Sequence, residues 1–279
     1  MYVAACGSGP PVLFIHGMPT SGRLWDGVVQ QLCDNYRCIT VDLPGFGKSP
    51  RALHTISDLE TVADYLDRIR RAHNIERWHV VGHDAGSVVA VHYARYFPER
   101  VDSMALLAPA LFPELKPYFL IEPLRKPVIG EFIAPLICQL FWKIVMNRAL
   151  EDIEDGDRLV RDFYEPFGGR AGALAFMRIV RWGKPSVLLA DVPGFLPQLA
   201  MPTRIFHGAN DAVVPASFAE RAGRLMPNAS VVTLDCGHFI PLNQPECVAR
   251  HLSKFFGPAG SASQSLKSLL PAIRTRELD

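Results

Sequence analysis

The sequence lacks several features that would assign it to a particular class of protein. Its formal net charge is only +1 over 279 residues, so a basic surface for nucleic acid is not expected. The six cysteines show no Cys-x-x-Cys spacing and no metal-ligand pattern with histidine, which favours free thiols in a reducing compartment. The amino-terminal segment has neither the basic region nor the long apolar run of a secretory signal. We therefore expect a cytoplasmic protein with no metal, no organic cofactor and no nucleic-acid partner.

Uninterrupted apolar runs long enough to cross a bilayer are also missing. The stretch from 127 to 145 comes nearest, but Glu131, Pro135, Gln139 and Lys143 divide it into short pieces. We interpret it as part of a lid that packs on the protein and lines a pocket, and we expect no membrane partner. The overall hydrophobic content of 49% is that of a globular chain large enough to bury a substantial core.

The most informative motif that is present is Gly82-His83-Asp84-Ala85-Gly86. An apolar run before it predicts a buried strand, and the segment from Val88 to Phe97 predicts a helix. The Gly-x-Asp-x-Gly spacing is that of a nucleophile elbow, with aspartate where most such elbows carry serine. A carboxylate at the tip of this turn can attack an alkyl carbon and form an ester, which water must then hydrolyse. The alternative is that the aspartate only caps the helix.

Three more predicted strands end in polar turns. Val12–Ile15 precedes His16-Gly17-Met18-Pro19, the next candidate strand precedes Asp211, and the last precedes His238. The chain order of nucleophile, acid and histidine is the one found in α/β-hydrolases, whose sites lie at the carboxyl ends of parallel strands. We therefore predict Asp84 as nucleophile, Asp211 as acid and His238 as base, with Glu131 in the lid as an alternative acid.

These motifs carry a resemblance to a known family. Residues 10 to about 257 resemble the α/β-hydrolase fold, in the branch with an aspartate nucleophile that contains haloalkane dehalogenases and epoxide hydrolases. The resemblance implies a mostly parallel sheet flanked by helices, with an inserted helical cap. It also implies that the backbone N–H groups of Met18 and Ala85 form an oxyanion hole. No metal or cofactor takes part in this chemistry.

The same resemblance divides the chain into four parts. We expect a first part of the core at 1–111, a helical cap at 112–196, a second part of the core at 197–257, and a linker with a carboxyl-terminal tail at 258–279. The fold normally opens with an antiparallel hairpin, but only Tyr2–Ala5 precedes the first turn, so we expect that the first strand of the hairpin is missing and that the sheet edge is either exposed or differently covered. The chain is expected to work as a monomer or a homodimer.

Two departures from the family pattern bear on the substrate. Haloalkane dehalogenases usually hold the leaving halide with a tryptophan directly after the nucleophile and an asparagine after His-Gly, but Ala85 and Met18 occupy those positions here. Epoxide hydrolases protonate the opening ring with cap tyrosines, and methionine takes one of those positions. Four cap residues are nevertheless expected to contact the substrate: Tyr118, Trp142, Tyr164 and Met177.

The predicted function is hydrolysis of a small alkyl electrophile through an ester on Asp84. The electrophile is of the epoxide or haloalkane type, with simple halides disfavoured because both usual halide donors are absent. Two alternatives stay open. One is an ester or lactone hydrolase, or a lyase-like enzyme, in which Asp84 acts as base or acyl acceptor. The other is a ligand-binding protein that has lost turnover.

Overall fold

A computed structural model describes residues 1–50, 58–116 and 118–257, so the predicted linker and tail at 258–279 lie outside the described residues. Strands alternate with helices along the chain. Within the described residues there are seven strands: β1 Tyr2–Cys6, β2 Pro11–Ile15, β3 Arg37–Asp42, β4 Trp78–His83, β5 Val101–Leu107, β6 Thr203–Gly208 and β7 Ala229–Leu234.

These strands form one sheet in the order β1-β3-β2-β4-β5-β6-β7. Strand β1 pairs antiparallel with β3, and every other pair is parallel. Strand β1 is at the edge of the sheet, and most of its side chains are exposed. The predicted α/β class and the mostly parallel sheet are confirmed.

Helices cover both faces of the sheet, which explains why β2 and β4 consist almost entirely of buried residues. The α-helices of the core are α1 Asp26–Leu32, α2 Leu59–Ala72, α3 Ala85–Tyr96, and, after the cap, Ala216–Leu225, Ile240–Asn243 and Pro245–Phe256. Helix α3 follows β4 directly and is buried along nearly its whole length, because small and branched side chains let it approach the sheet closely.

The chain between β5 and β6 is helical and forms a cap over the carboxyl ends of the strands. Its α-helices are α4 Ile129–Leu140, α5 Asn147–Ala149, α6 Gly156–Tyr164, α7 Gly169–Trp182, α8 Pro185–Leu188 and α9 Val192–Phe195, with a 3-10 helix at Phe119–Arg125. A π-helical segment, Phe141–Met146, joins α4 to α5, so that Ile129–Ala149 is one continuous helix, here named the long cap helix.

By length and composition, the long cap helix could cross a membrane. A third of its most apolar window (33%) is buried within the protein. It packs on one side against α7 and the 3-10 helix Phe119–Arg125, as a helix of a protein cap does.

Candidate active site

Asp84 lies at the tip of a sharp turn between β4 and α3. Its backbone has φ 49° and ψ −119°, a conformation that costs energy for a residue with a Cβ and that recurs at functional sites. The backbone N–H of Asp84 donates to the Leu107 carbonyl at 3.0 Å and so ties the turn to β5. The Asp84 side chain makes no capping hydrogen bond to α3, which excludes the capping interpretation.

Two glycines allow other parts of the chain to approach this turn. A Cβ on Gly17 would lie 2.6 Å from the Asp84 Cβ and 2.8 Å from Asp84 Oδ2. A Cβ on Gly86 would lie 2.3 Å from the Ile15 carbonyl oxygen. All three distances are shorter than van der Waals contact allows. Glycine is therefore needed at both positions so that the loop after β2 can lie against the elbow.

The loop after β2 holds one oxygen of the Asp84 carboxylate. The Met18 backbone N–H donates to Asp84 Oδ2 at 3.1 Å, and the Ala85 N–H also stabilises the anion. Burial raises the pKa of Asp84, while the nearby His238 and these two N–H groups oppose the increase. Two backbone N–H groups thus point at the Asp84 carboxylate, and the one whose acceptor atom is defined, that of Met18, holds Oδ2.

His238 and Asp211 form a hydrogen-bonded pair opposite the elbow. His238 Nδ1 lies 2.9 Å from Asp211 Oδ2, while Asp211 Oδ1 accepts from the N–H groups of Val213 at 2.7 Å and Val214 at 2.9 Å. Because a carboxylate can only accept, Nδ1 carries the proton and Nε2 is the basic nitrogen. The geometry therefore gives His238 the orientation of a general base.

The pKa values of this pair follow from the same contacts. Burial alone would lower the pKa of His238, but the hydrogen bond that His238 donates to Asp211 and the charges of Asp211 and Asp84 outweigh it and raise the pKa. Burial alone would raise the pKa of Asp211, but the contacts with His238 and the two backbone N–H groups lower it. Asp211 is therefore ionised at neutral pH and stabilises a protonated His238.

Glu131, the alternative acid, lies elsewhere. It binds Arg181 of α7 through both carboxylate oxygens, at 2.5 and 2.9 Å. These contacts with Arg181 lower the pKa of Glu131 to about 2. Its partners are residues of the cap, so the alternative of Glu131 as the triad acid is wrong.

Two buried histidines make hydrogen bonds to backbone groups of the loops that form the site. The Leu43 N–H donates to His16 Nε2 at 2.9 Å, so His16 Nδ1 carries the hydrogen that faces the Gly17 carbonyl at 2.9 Å. His83 Nε2 lies 2.9 Å from the His238 carbonyl oxygen and donates to it. Burial lowers the pKa of His83 to about 3, so it stays neutral and fixes the backbone of His238. No local signal in the sequence could reveal a contact across 155 positions.

Asp84 and His238 line a single cavity between core and cap. It measures about 1400 Å³, including the part that is open to solvent. Most of the wall is aliphatic or aromatic, with contributions from Leu43, Phe46, Val88, Ile179 and Phe239. Besides Asp84 and His238, four residues of the wall carry a charged group or a strong hydrogen-bond donor: Lys116, Tyr118, Arg125 and Trp182. Such a cavity suits a largely apolar molecule that carries a few polar atoms.

The four predicted substrate contacts are placed differently from one another. Tyr118 lines the cavity, and its pKa is raised by burial and then by the charge of Asp211, so its hydroxyl is protonated and within electrostatic reach of the triad. Trp142, Tyr164 and Met177 do not line it, and their expected role is corrected here. The Trp142 ring instead packs against Tyr164 at 5.4 Å between ring centroids, inside an aromatic cluster of the cap. Trp182, which is in the wall, takes the place expected for Trp142.

A metal site is not apparent in the part of the chain that the structure describes. Within residues 1–50, 58–116 and 118–257, no group of three or more His, Cys, Asp or Glu side chains could hold an ion. The triad itself can perform nucleophilic and general-base chemistry with its own atoms.

Comparisons with known proteins bear on the fold and on the class of related enzymes. A family model described as the alpha/beta hydrolase fold matches residues 10–128. A haloalkane dehalogenase from Agrobacterium fabrum is 28% identical, over 88% of this chain and 84% of that protein. A cis-3-alkyl-4-alkyloxetan-2-one decarboxylase from Shewanella oneidensis is 27% identical, over 89% of this chain and 82% of that protein. A pimeloyl-[acyl-carrier protein] methyl ester esterase from Nitrosomonas europaea is 28% identical, over 88% of this chain and 95% of that protein.

The fold also matches a solved structure over nearly its whole length. A loop variant of the haloalkane dehalogenase DbeA from Bradyrhizobium elkanii superposes with a TM-score of 0.77, covering 95% of each chain at 21% identity. At this level of sequence identity, the structural similarity establishes the fold and not the activity. Together with the family match over residues 10–128, it shows that the chain has the α/β-hydrolase fold, and the related proteins include enzymes of the hydrolase class.

Proposed function

We propose that this hydrolase forms a covalent ester between Asp84 and an apolar alkyl substrate, and then hydrolyses that ester with water activated by His238. The observation that carries the proposal is the position of the Asp84 carboxylate. It lies on a strained elbow, with Oδ2 held by the Met18 N–H, in a cavity shared with an oriented histidine. A carboxylate that only supported the fold would not need this exposure to a cavity.

In the first step, Asp84 Oδ1 attacks an electrophilic carbon of the substrate and the bond from that carbon to the leaving atom breaks. The apolar wall excludes water from the carboxylate and keeps it reactive. The negative charge moves from Asp84 to the leaving group, which must be stabilised there. The product of the step is an alkyl ester whose carbonyl oxygen is Oδ2, between the N–H groups of Met18 and Ala85.

In the second step, His238 Nε2 takes a proton from water, and the resulting hydroxide attacks the ester carbonyl carbon. The oxyanion that develops on Oδ2 is held by the same two N–H groups. Asp211 stabilises the protonated imidazole. Collapse of the tetrahedral intermediate breaks the bond from the carboxyl carbon to Oδ1, so that Oδ1 leaves with the substrate as an alcohol and takes the proton from His238. The oxygen from water replaces Oδ1 in the carboxyl group of Asp84, which then loses its proton to solvent and is a carboxylate again.

The leaving group is best assigned from the polar groups of the wall. With Ala85 and Met18 in the positions next to the nucleophile, neither side chain there can donate to a halide. The Tyr118 hydroxyl is a protonated donor in the wall near Asp211, and it supports protonation of an oxygen that leaves as a strained ring opens. We therefore favour substrates of the epoxide type over simple haloalkanes.

A second candidate is opening of a four-membered lactone at its alkyl carbon. The Shewanella relative, a cis-3-alkyl-4-alkyloxetan-2-one decarboxylase, acts on an alkyl-substituted oxetan-2-one. Attack of Asp84 on the alkyl carbon of such a ring would release a carboxylate, which needs no proton donor. Two cations of the wall, Lys116 and Arg125, could stabilise that carboxylate.

We also propose that the enzyme works in the cytoplasm. All six cysteines are free, and Cys38, Cys138 and Cys236 among them are buried. Unpaired thiols are the usual state in a reducing compartment.

A single turnover in H₂¹⁸O tests the covalent mechanism. With enzyme in excess over a terminal epoxide, we expect the first diol product to contain unlabelled oxygen from Asp84. The label should appear in the peptide that contains Asp84, because water attacks the ester carbonyl and not the substrate carbon. Label in the first product and none in that peptide would show direct attack by water, and would overturn the proposal.

A substrate panel separates the candidate leaving groups. A terminal epoxide, 1-bromobutane and a β-lactone of matched chain length should be assayed with the same enzyme preparation. We expect the epoxide or the lactone to be turned over fastest. Fast turnover of 1-bromobutane would show that the wall contains a halide site, for which Trp182 would be the first donor to replace.

A further inference from the structure

The outer face of α4 is apolar where a surface helix is normally polar. The side chains of Val128, Ile129, Phe132 and Leu136 are 67%, 52%, 80% and 57% exposed, respectively. The last three have the spacing i, i+3 and i+7, so they share one side of the helix. The opposite side packs against α7 and the 3-10 helix Phe119–Arg125. We call these four residues the exposed cap face. A contiguous apolar surface of this kind marks a binding site.

Cations flank this face at both ends. Lys126 precedes it, and Lys143 and Arg148 follow at the far end of the long cap helix, all three with exposed side chains. Within the described residues none of the three forms an ion pair. Glu131 is the sole carboxylate between positions 126 and 150, and its charge is neutralised by Arg181. The long cap helix itself is therefore apolar and cationic on its outer side, and the exposed carboxylates of the cap begin beyond it, at Glu151 and Asp152.

We propose that the exposed cap face docks on the surface of an anionic lipid bilayer. The apolar side chains would enter the boundary between headgroups and acyl chains, while Lys126, Lys143 and Arg148 would contact lipid phosphates. The helix lies along the surface and does not cross the bilayer, because its inner side is part of the cap. A second copy of the chain is the alternative occupant of this face, and a measurement of oligomeric size distinguishes it from lipid.

The position of the face relates it to the cavity. Phe141, Val145, Met146 and Ala149, which belong to the same long cap helix, line the cavity wall. Docking would thus place the cavity about one helix diameter, roughly 10 Å, from the lipid. If the proposed function is correct, this surface would let an apolar substrate pass from the bilayer to Asp84. The docking itself does not depend on that function.

Vesicle sedimentation tests the proposal with the full-length protein. We expect binding to phosphatidylcholine vesicles that contain phosphatidylglycerol, with weaker binding to phosphatidylcholine alone and a decrease as salt is added. The variant Ile129→Ser/Phe132→Ser/Leu136→Ser should lose at least about tenfold in affinity, because the apolar contact is removed. Lys126→Gln/Lys143→Gln/Arg148→Gln should bind anionic vesicles roughly a hundredfold more weakly, at about fivefold for each cation.

Matched controls come from the core. Val231→Ser removes an exposed apolar side chain of β7, and Arg68→Gln/Arg250→Gln/Lys254→Gln removes three exposed cations. Both controls should bind vesicles like the unchanged protein. All variants should keep their activity on a water-soluble substrate without vesicles, since none of the changed residues lines the cavity.

Three results would overturn the proposal. The unchanged protein could fail to bind anionic vesicles, or the core controls could weaken binding as much as the cap variants. Size measurement could also show a dimer that the triple serine variant dissociates, which would identify a second copy as the partner. Vesicle binding that persists in a protein without covalent turnover would count against the proposed function alone.

Discussion

Gly17→Ala should disable the second chemical step, because the new Cβ would lie 2.6 Å from the Asp84 Cβ. Ordinary van der Waals contact begins near 3.4 Å, so the two segments must separate by about 0.8 Å. Asp84 is fixed by the elbow, so the loop after β2 must retreat and take the next residue, Met18, with it. The hydrogen bond from the Met18 N–H, 3.1 Å long, would lengthen toward about 3.9 Å and break. Loss of one oxyanion donor costs roughly 3 kcal/mol, or 10²- to 10³-fold in rate.

Rapid-quench kinetics measure this effect. Gly17→Ala should accumulate the ester intermediate and hydrolyse it about 10²- to 10³-fold more slowly. Gly194→Ala is the matched control, since a Cβ at this cap glycine would meet no atom within 4 Å. Thermal unfolding would show that both variants are folded. Equal ester hydrolysis by Gly17→Ala and Gly194→Ala would refute the assigned role of the Met18 N–H.

Three further predictions concern individual side chains. Tyr118→Phe should slow ester formation from an epoxide about 10²- to 10⁴-fold in single turnovers without changing ester hydrolysis, if its hydroxyl protonates the leaving oxygen; equal rates would remove that role. Asp84→Asn removes a charge that raises the pKa of His238, so an NMR titration of the imidazole should show a lower pKa, and an unchanged value would mean that the two groups do not interact. Burial lowers the pKa of His92 from 6.5 to about 4, so the folded state should lose about 2 kcal/mol between pH 8 and pH 5 as the unfolded state binds the proton. In His92→Leu, urea unfolding should show a pH dependence that is smaller by this amount, and an unchanged slope would contradict the assignment.

The sequence predicts the fold well because each central strand of the sheet is a short run of apolar residues. Buried parallel strands need apolar side chains on both faces, so β2 and β4 are visible as continuous runs. The polar turn after each run marks the carboxyl edge. The structure brings Asp84, Asp211 and His238 together at that edge, and their roles stay predictions until chemistry is measured.

The cap is harder to predict, because which side chains of a cap helix point into the cavity depends on the local helical geometry. The π-helical segment Phe141–Met146 departs from 3.6 residues per turn and rotates the side chains that follow. Within this segment Phe141, Val145 and Met146 line the cavity, while the Trp142 ring packs in the aromatic cluster. Composition alone favours the tryptophan as a pocket residue. The hydrogen bond from His83 to the His238 carbonyl also cannot be predicted from the sequence, since it joins residues that are far apart in the chain.

The covalent ester on Asp84 is tested most directly by the mass of His238→Gln after incubation with a terminal epoxide. This variant can form the ester but lacks the base that hydrolyses it. We expect a mass increase equal to that of the substrate, located by peptide mapping at Asp84, and no increase in the double variant Asp84→Ala/His238→Gln. An unmodified His238→Gln protein, with a substrate that the unchanged enzyme turns over, would contradict the covalent mechanism.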